Sequence, residues 1–308
     1  MFKQETNHRI LQIVEGTLEN ALSGFFIDRK SRGLSKRTIA YYEEKLFRFL
    51  KYANNQGIEY LYEIQADFIR LYMLQLSETC NNGGVHAHYR ALRSFFNWYE
   101  KECDDFNNPI SKISPPKVNH QPKEGITIQN VMKMVNACTT ANAARDKAIL
   151  LTLTDTGCRA SEFLSINIAE LELIKGEIEI LHGKGNKSRT VFLGRNCRRA
   201  MRIYLKTRNG LLENSPLWVA HDECRLTYSG LREIIRRRAR GASIDEPGIH
   251  DFRRCFAIEF LRNEGDIFTL QRILGHSSLE MVKRYLAIAK SDCETAHRRA
   301  SPVDNWTL

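Results

Sequence analysis

Residues 170–193, ELELIKGEIEILHGKGNKSRTVFL, differ in periodicity from the rest of the chain. Apolar and polar residues alternate on both sides of a glycine-rich turn at 183–185, and Gly176 marks an earlier turn. Alternation with a period of two is typical of strands that bury one face, and short turns join antiparallel neighbours. The stretch therefore predicts a small antiparallel β-sheet.

The patterns on either side of this stretch are helical, so the predicted fold is mainly α with one small sheet. Apolar residues recur at helical spacing in four windows before residue 106, which predicts four amphipathic helices. Gly33 and the N-cap residue Ser35 separate the first two. Further helices are predicted at 127–137, 144–154, 195–207, 228–239, 248–264, 266–273 and 278–288. The predicted core positions of the first four helices are Leu18, Leu22, Phe25, Phe26, Tyr42, Leu46, Phe49, Leu50, Ile69, Tyr72, Met73, Leu76, Leu92, Phe95, Phe96 and Tyr99.

A chain of 308 residues exceeds what one hydrophobic core usually holds, so two domains are expected. Helical periodicity disappears in the stretch between Asp104 and Gly125, which contains four of the seven prolines. Proline cannot continue a helix, and such a segment is typical of an extended linker. We predict a helical domain at 12–105, a linker at 106–124 and a second domain at 125–308.

Positive charge is concentrated in the C-terminal part. Of the 46 Lys+Arg and 36 Asp+Glu residues, 24 and 14 lie in residues 181–308, so residues 1–180 carry 22 of each. The excess of ten positive charges therefore lies in residues 181–308, within the predicted second domain. A basic surface attracts polyanions, and nucleic acid is the commonest of these.

Other classes of protein are excluded by the same sequence. Its apolar runs are far shorter than the roughly 20 residues of a membrane span, and MFKQETNHRI lacks the apolar core of a secretory signal. Eight scattered cysteines form no C-x-x-C pair, which argues against a zinc site and a disulfide framework. We expect a cytoplasmic protein with reduced thiols and no membrane contact.

Six residues of the second domain are hard to explain as packing. Arg159 follows a Thr-Gly turn in TGCRASEF, and Lys184 lies in the hairpin turn of HGKGNKSR. The helix predicted around GIHDFRRCFA carries His250 and Arg253, three residues apart and hence on one face. The remaining two are His276 in LGHSS and Tyr285 in VKRYLAI.

This ordered set resembles the tyrosine recombinase family, also called the phage integrase family, and is most similar to its Xer-type and mobile-element members. The flanking segments TG-x-R-x-SE, GKGNK and LGHSS are similar to that family as well. The resemblance implies an N-terminal helical core-binding domain of SAM-like fold and a C-terminal catalytic domain. It also implies a site-specific DNA recombinase that forms a 3′-phosphotyrosyl intermediate. The implied catalytic residues are Arg159, Lys184, His250, Arg253, His276 and Tyr285.

Physical chemistry assigns these residues roles consistent with the resemblance. Two arginines bind the nonbridging oxygens of a phosphodiester best as negative charge develops there. The phenol of a tyrosine has a reference pKa near 10, so Tyr285 needs a base, for which His250 is suited. Lys184 is assigned to protonate the leaving 5′ oxygen, His276 to a hydrogen bond with the phosphate, and Glu162 to support Arg159. No carboxylate cluster of the kind that binds Mg²⁺ accompanies the set, so we expect no metal, ATP or other cofactor.

The expected partner is double-stranded DNA with an inverted-repeat core site, gripped by both domains. The resemblance further implies a homotetramer on two DNA duplexes, with a tail near 292–308 that docks on a neighbouring protomer. Whether a second recombinase takes part is left open by the sequence. The predicted DNA contacts are Lys36, Arg37, Tyr41, Arg48, His86, Arg90 and Arg93 in the first domain, and Arg232, Arg236, Arg237, Arg238 and Arg240 in the second.

Two alternatives are considered. One is a second kind of enzyme, a type IB topoisomerase, which shares the chemistry without synapsis; the other, from a different class, is a catalytically silent DNA-binding regulator. The complete set of six residues disfavours the regulator, and the separate helical first domain and the C-terminal tail disfavour the topoisomerase. Phe252, Arg254 and Cys255 depart from the commoner family pattern, and all three flank the active positions.

Overall fold

The computed structural model describes residues 16–117, 125–140, 142–181, 188–220, 222–275 and 278–280, together with positions 282, 283, 285, 297, 301 and 303. The described residues form two compact units that divide the chain near residue 120. Each unit has its own hydrophobic core. Within the described ranges, every helix is too short or too polar to cross a membrane.

Four helices form the first unit, as the apolar stripes predict: α1 (Leu18–Ser31), α2 (Lys36–Asn55), α3 (Ala66–Thr79) and α4 (Asn82–Glu102). The Ser35 hydroxyl accepts the backbone N–H of Thr38 at 3.2 Å, which confirms the predicted N-cap. Their core is aromatic: Phe25 makes edge contacts with Tyr42, Phe95 and Trp98 at ring-centroid distances of 5.3, 5.6 and 5.5 Å. Such edge-to-face geometry is favoured by the ring quadrupole.

The first residues of the linker predicted at 106–124 pack against the core of the first unit. Ile110 lies in a short 3₁₀ turn and is buried in the core of the first unit, and Phe106 and Ile113 pack against the same core. Proline ended the helical periodicity at this point but did not end the apolar packing. Residues 106–113 therefore belong to the first unit.

The second unit is helical around one small sheet, again as predicted. Its helices are α5 (Ile128–Asn136), α6 (Ala143–Thr156), α7 (Ala160–Ser165), α8 (Arg195–Leu205), α9 (Tyr228–Gly241), α10 (Ile249–Arg262) and α11 (Ile267–Leu274). After α11, Glu280, Val282, Lys283 and Tyr285 are also helical. Apart from α7, for which no bounds were predicted, these helices end within two residues of the predicted positions.

The strands β1 (Leu171–Glu172), β2 (Glu177–Ile180) and β3 (Arg189–Phe192) pair antiparallel in the order β1-β2-β3. Ile178 faces Val191 across the β2–β3 pair, and both are fully buried. The predicted alternation of apolar and polar residues is therefore confirmed, because one face of the sheet packs on the core. Beyond the sheet, the core of this unit contains a stack of three aromatic rings, in which Trp218 lies between Phe163 and Tyr204 at 4.6 and 5.7 Å.

A buried ion network joins α6 to α9. The carboxylate of Asp146, which has no exposed surface, accepts hydrogen bonds from Arg145, Arg237 and Arg238. Arg238 is itself only 3% exposed and also donates to the hydroxyl of Thr140 at 2.8 Å. Buried charges are tolerated when they are paired in this way, whereas loss of one partner leaves an uncompensated charge.

We predict that Asp146→Asn lowers the free energy of unfolding by about 3 kcal/mol, because it leaves the buried guanidinium of Arg238 without a counter-charge. Urea unfolding followed by circular dichroism measures this loss. Glu280→Gln is the matched control, since the Glu280–Lys283 pair is largely exposed and contributes little. Equal stability of the two variants would contradict the role given to Asp146.

Candidate active site

The junction between α6 and α7 places Arg159. Helix α6 ends at Thr156 and is capped by Gly157, whose φ of +58° suits glycine; a Cβ atom at Gly157 would lie 2.5 Å from the ring of Phe256. Two residues later Arg159 is the N-cap of α7, and its backbone N–H donates to a carboxylate oxygen of Glu162 at 2.9 Å. Its guanidinium donates to the other oxygen of Glu162 at 2.6 Å. The side chain remains about one quarter exposed, so Arg159 is oriented but accessible.

Helix α10 supplies Arg253, which is 5% exposed. Its guanidinium donates to the carbonyl oxygens of Gly157 at 2.7 Å and Leu274 at 2.8 Å. Burial and the positive charge of Arg159 lower the pKa of Arg253 to about 10, and the groups that oppose this shift include Tyr285 and Glu162. Arg253 thus lies in one electrostatic environment with Arg159 and Tyr285.

Three arginines cap the end of α11. The carbonyl of Ile273 accepts from Arg189 Nε at 2.7 Å, that of Leu274 from Arg253 at 2.8 Å, and that of Gly275 from Arg159 at 3.0 Å. The last carbonyls of a helix have no partner within the helix and carry partial negative charge, so cations bind there favourably. Gly275 closes the helix with a φ of +63°. We name Ile273, Leu274 and Gly275 the capped carbonyls.

Glu162 is the buried anion of this cluster. Burial by itself raises the pKa of a carboxyl, but hydrogen bonds from Arg189 and from Arg159 lower the pKa of Glu162 to about 2. The carboxylate is therefore ionised at neutral pH. This agrees with the supporting role expected for Glu162 beside Arg159.

Arg189 belongs to the same cluster but is not among the residues predicted from the sequence. It is the first residue of β3 and donates to both oxygens of Glu162, at 3.1 and 2.6 Å. The strand pattern in the sequence does indicate an inward position for Arg189, because Arg189 and Val191 share a strand face and Val191 is a core residue. An arginine at an inward-facing strand position requires a partner.

His250 is in the first turn of α10, and its side chain is exposed. Partial desolvation by the surrounding protein, Arg253 and Arg254 lower the pKa of His250 below its ordinary value, while Asp251 opposes the shift and Arg159 adds to it. Asp251 also accepts the N–H of Gly248 and pairs with Arg254. A lowered pKa keeps His250 neutral near pH 7, which is the form that accepts a proton.

Tyr285 is half-buried against a small apolar cluster formed by α10, α11 and Val282. Leu270 and Leu274 of α11 belong to this cluster, so the helix end that the arginines cap also supports the tyrosine. Arg159, His250, Arg253 and Tyr285 are thus brought into one region of the second unit. Lys184 and His276 lie outside the described residues.

Helix α9 carries the five arginines predicted to bind DNA, and they differ in accessibility. The prediction is wrong for Arg238, because its guanidinium is buried and bonded to Asp146, Thr140 and Ala137. Arg237 is about half exposed and also bonds to Asp146. The other three, Arg232, Arg236 and Arg240, are spaced four residues apart and form one row along the helix. Arg232 and Arg240 are exposed, and Arg236 is half exposed with an ion pair to Glu233.

In the first unit the predicted DNA contacts are also mixed. The basic residues Lys36, Arg37, Arg48, Arg90 and Arg93 are exposed, and His86 is partly exposed. Arg48 donates to the hydroxyl of Thr79 at 3.0 Å. The hydroxyl of Tyr41 donates to the carbonyl of Ala87 at 2.6 Å and its ring packs against the core, which indicates a structural contribution.

The side chains that commonly bind metal ions are dispersed over the described part of the chain. Among these residues, His, Cys, Asp and Glu form no group of three or more that suits a metal ion. The seven described cysteines are free thiols. Burial raises the pKa of the Cys158 and Cys197 thiols, that of Cys197 to about 12, so these two are kept protonated.

Comparison with known proteins agrees with this site. Residues 124–292, more than half of the chain, match the phage integrase family. The chain belongs to that family. It is therefore an enzyme of the tyrosine recombinase type, and the topoisomerase and regulator alternatives are not favoured.

Relatives extend the match beyond the catalytic unit. The tyrosine recombinase XerC of Oceanobacillus iheyensis is 28% identical over 285 residues, which cover 89% of this chain and 93% of the relative. The tyrosine recombinase XerD of Halalkalibacterium halodurans is 27% identical over 296 residues, which cover 93% and 99%. The XerH recombinase bound to a palindromic difH substrate has a similar fold, with a TM-score of 0.73 at 20% identity over 94% of this chain and 85% of its own.

We predict that Arg254→Gln raises the pKa of His250. The variant removes one of the charges that repel the imidazolium, and it releases Asp251 from its ion pair. An NMR titration of the imidazoles, with His250→Gln to assign the resonance, measures the shift. Arg262→Gln is the matched control on the last turn of the same helix, and an unchanged or lower His250 pKa in Arg254→Gln would contradict the prediction.

Proposed function

We propose that this recombinase cleaves and rejoins DNA through a covalent bond between Tyr285 and a 3′ phosphate. The observation that carries the proposal is the convergence of Arg159, Arg253 and Tyr285 at the capped end of α11. Two guanidiniums beside a phenol suit a phosphodiester, because its transition state accumulates negative charge on the nonbridging oxygens. The partial exposure of Arg159 leaves room for that phosphate.

In the proposed reaction the Tyr285 oxygen attacks phosphorus, and the bond between phosphorus and the 5′ oxygen breaks. His250 accepts the phenolic proton, and its lowered pKa keeps it neutral for this purpose. Lys184 donates a proton to the leaving 5′ oxygen, and His276 donates a hydrogen bond to the phosphate. In rejoining, a 5′ hydroxyl attacks the phosphotyrosine and gives its proton to Lys184. The bond between phosphorus and the Tyr285 oxygen breaks, and His250 returns its proton to that oxygen. The energy of the broken bond is retained, so no high-energy cofactor is required.

Tyr285→Phe is expected to abolish covalent attachment while leaving DNA binding intact. The protein is incubated with a suicide duplex nicked close to the cleavage position, so that the released strand diffuses away and the adduct accumulates. Adduct is measured on a denaturing gel and binding on a native gel. Tyr62→Phe is the matched control, since Tyr62 is 75% exposed in the first unit and has no proposed role. Formation of the covalent adduct by Tyr285→Phe would contradict the proposal.

The substrate that we propose is a duplex core site with inverted repeats, bound by the exposed cations of both units. Support comes from the excess charge in residues 181–308 and from the row of arginines on α9. XerH is bound to a palindromic difH site, and a lambda integrase tetramer is bound to a Holliday junction, with a TM-score of 0.72 at 16% identity over 88% of this chain and 78% of its own. By analogy we propose a homotetramer on two duplexes, acting in the cytoplasm in integration and excision of a mobile element or in resolution of DNA dimers.

Replacing Arg232 and Arg240 together with glutamine is expected to weaken DNA binding without changing its sequence preference. Each lost phosphate contact reduces the slope of log affinity against log salt by about one. Fluorescence anisotropy over a series of salt concentrations measures both quantities on core-site and random duplexes. Arg262→Gln is the control, because Arg262 lies on α10 and pairs with Glu259. An unchanged salt slope in the double variant would count against this interface.

A further inference from the structure

Arg189 lies at the centre of the polar cluster without any role in the reaction described above. We propose that Arg189 is a positioning residue for strand cleavage. It offsets the negative charge of Glu162, so that the positive charge of Arg159 remains available to the phosphate. It also holds the capped carbonyls in place, which orients the guanidinium of Arg159. The inference rests on the proposed cleavage reaction and deepens it.

The bonds of Arg189 show that it acts on the protein rather than on substrate. Its side chain is 11% exposed, and each of its three nitrogens donates to a protein oxygen. Two of these bonds form a bidentate pair with Glu162, which is the strongest and most directional arrangement of a guanidinium and a carboxylate. The third, to Ile273, connects the same guanidinium to α11.

Charge balance explains why a second arginine is needed on Glu162. The carboxylate is buried and ionised, and Arg159 also donates to it at 2.6 Å. With Arg159 as the only arginine bonded to Glu162, the Arg159–Glu162 pair would be neutral and would attract an anionic phosphate weakly. Arg189 supplies the second positive charge, so the trio keeps a net charge of +1 in a partly desolvated site, where electrostatic interactions are strong.

Arg189 also joins three elements whose ends form the site. It begins β3, donates to Glu162 of α7 and donates to the end of α11. The fit at α11 is close, since a Cβ atom at Gly275 would lie 3.3 Å from Cδ, Nε and Cζ of Arg189. The carbonyl held by Arg159 belongs to this same glycine. Displacement of Arg189 would therefore move the partners of Arg159 on two sides.

The test is single-turnover cleavage of the suicide duplex by a set of variants. Arg189→Met removes the charge and the bidentate pair, and we expect cleavage about 100-fold slower with DNA affinity retained, as for a misplaced catalytic group. Arg189→Lys keeps the charge but not the bidentate geometry, so its rate should fall between Met and wild type. In Arg189→Met/Glu162→Gln the buried anion is removed as well, and the rate should recover in part.

Arg198→Met is the matched control. Arg198 also donates to a backbone carbonyl, that of Ile174 at 2.9 Å, but it has no bond to the cluster, and we expect wild-type cleavage. Thermal melting of every variant is measured beside the cleavage rate.

The outcomes separate this inference from the proposed function. Absence of adduct with the wild-type protein would overturn the proposed function itself. With wild-type adduct present, wild-type cleavage by Arg189→Met would overturn the inference alone. A parallel loss of melting temperature, DNA binding and cleavage without recovery in the Glu162→Gln double variant would also overturn it, because that pattern belongs to a purely structural arginine.

Discussion

The end of helix α11 is the point on which the rest of the site depends. Its capped carbonyls receive one guanidinium each from Arg189, Arg253 and Arg159, which come from β3, α10 and the start of α7. A helix terminus leaves carbonyl groups without partners, and here cations rather than backbone amides fill that need. The same interaction therefore completes a helix, joins four elements of the second unit and orients two arginines beside the half-buried Tyr285.

Concentrating cations in this way is unfavourable unless an anion offsets them. Glu162 is that anion, and its pKa of about 2 shows how strongly the surrounding guanidiniums stabilise its charge. Desolvation and the remaining positive charge together lower the pKa of His250 and of Arg253. In the proposed reaction the incoming phosphate supplies the second anion. The site is thus prepared for a negatively charged group before that group arrives, which is the condition for electrostatic catalysis.

Arginine serves two separate purposes in this protein, and only position distinguishes them. On α9, Arg238 is buried against Asp146 and holds α6 to α9, whereas Arg232 and Arg240 on the same helix face solvent. In the catalytic cluster, Arg189 bonds to the protein with all three nitrogens, whereas Arg159 remains partly exposed. A basic run in a sequence thus combines structural ion pairs with cations available to a polyanion, and burial decides between them.

The sequence alone determined the class of fold, the family and the candidate catalytic set, because these depend on local order: periodicities of 3.6 and 2, the Thr-Gly turn before Arg159, and the three-residue spacing of His250 and Arg253. Only the tertiary structure decided what each charged residue contacts. It buried Arg238, assigned residues 106–113 to the first core, and brought Arg189 to Glu162 and to Ile273, 27 and 84 residues away in the chain. Such partners share no local pattern, since their proximity arises when separate elements pack together and leave buried charges that must be paired.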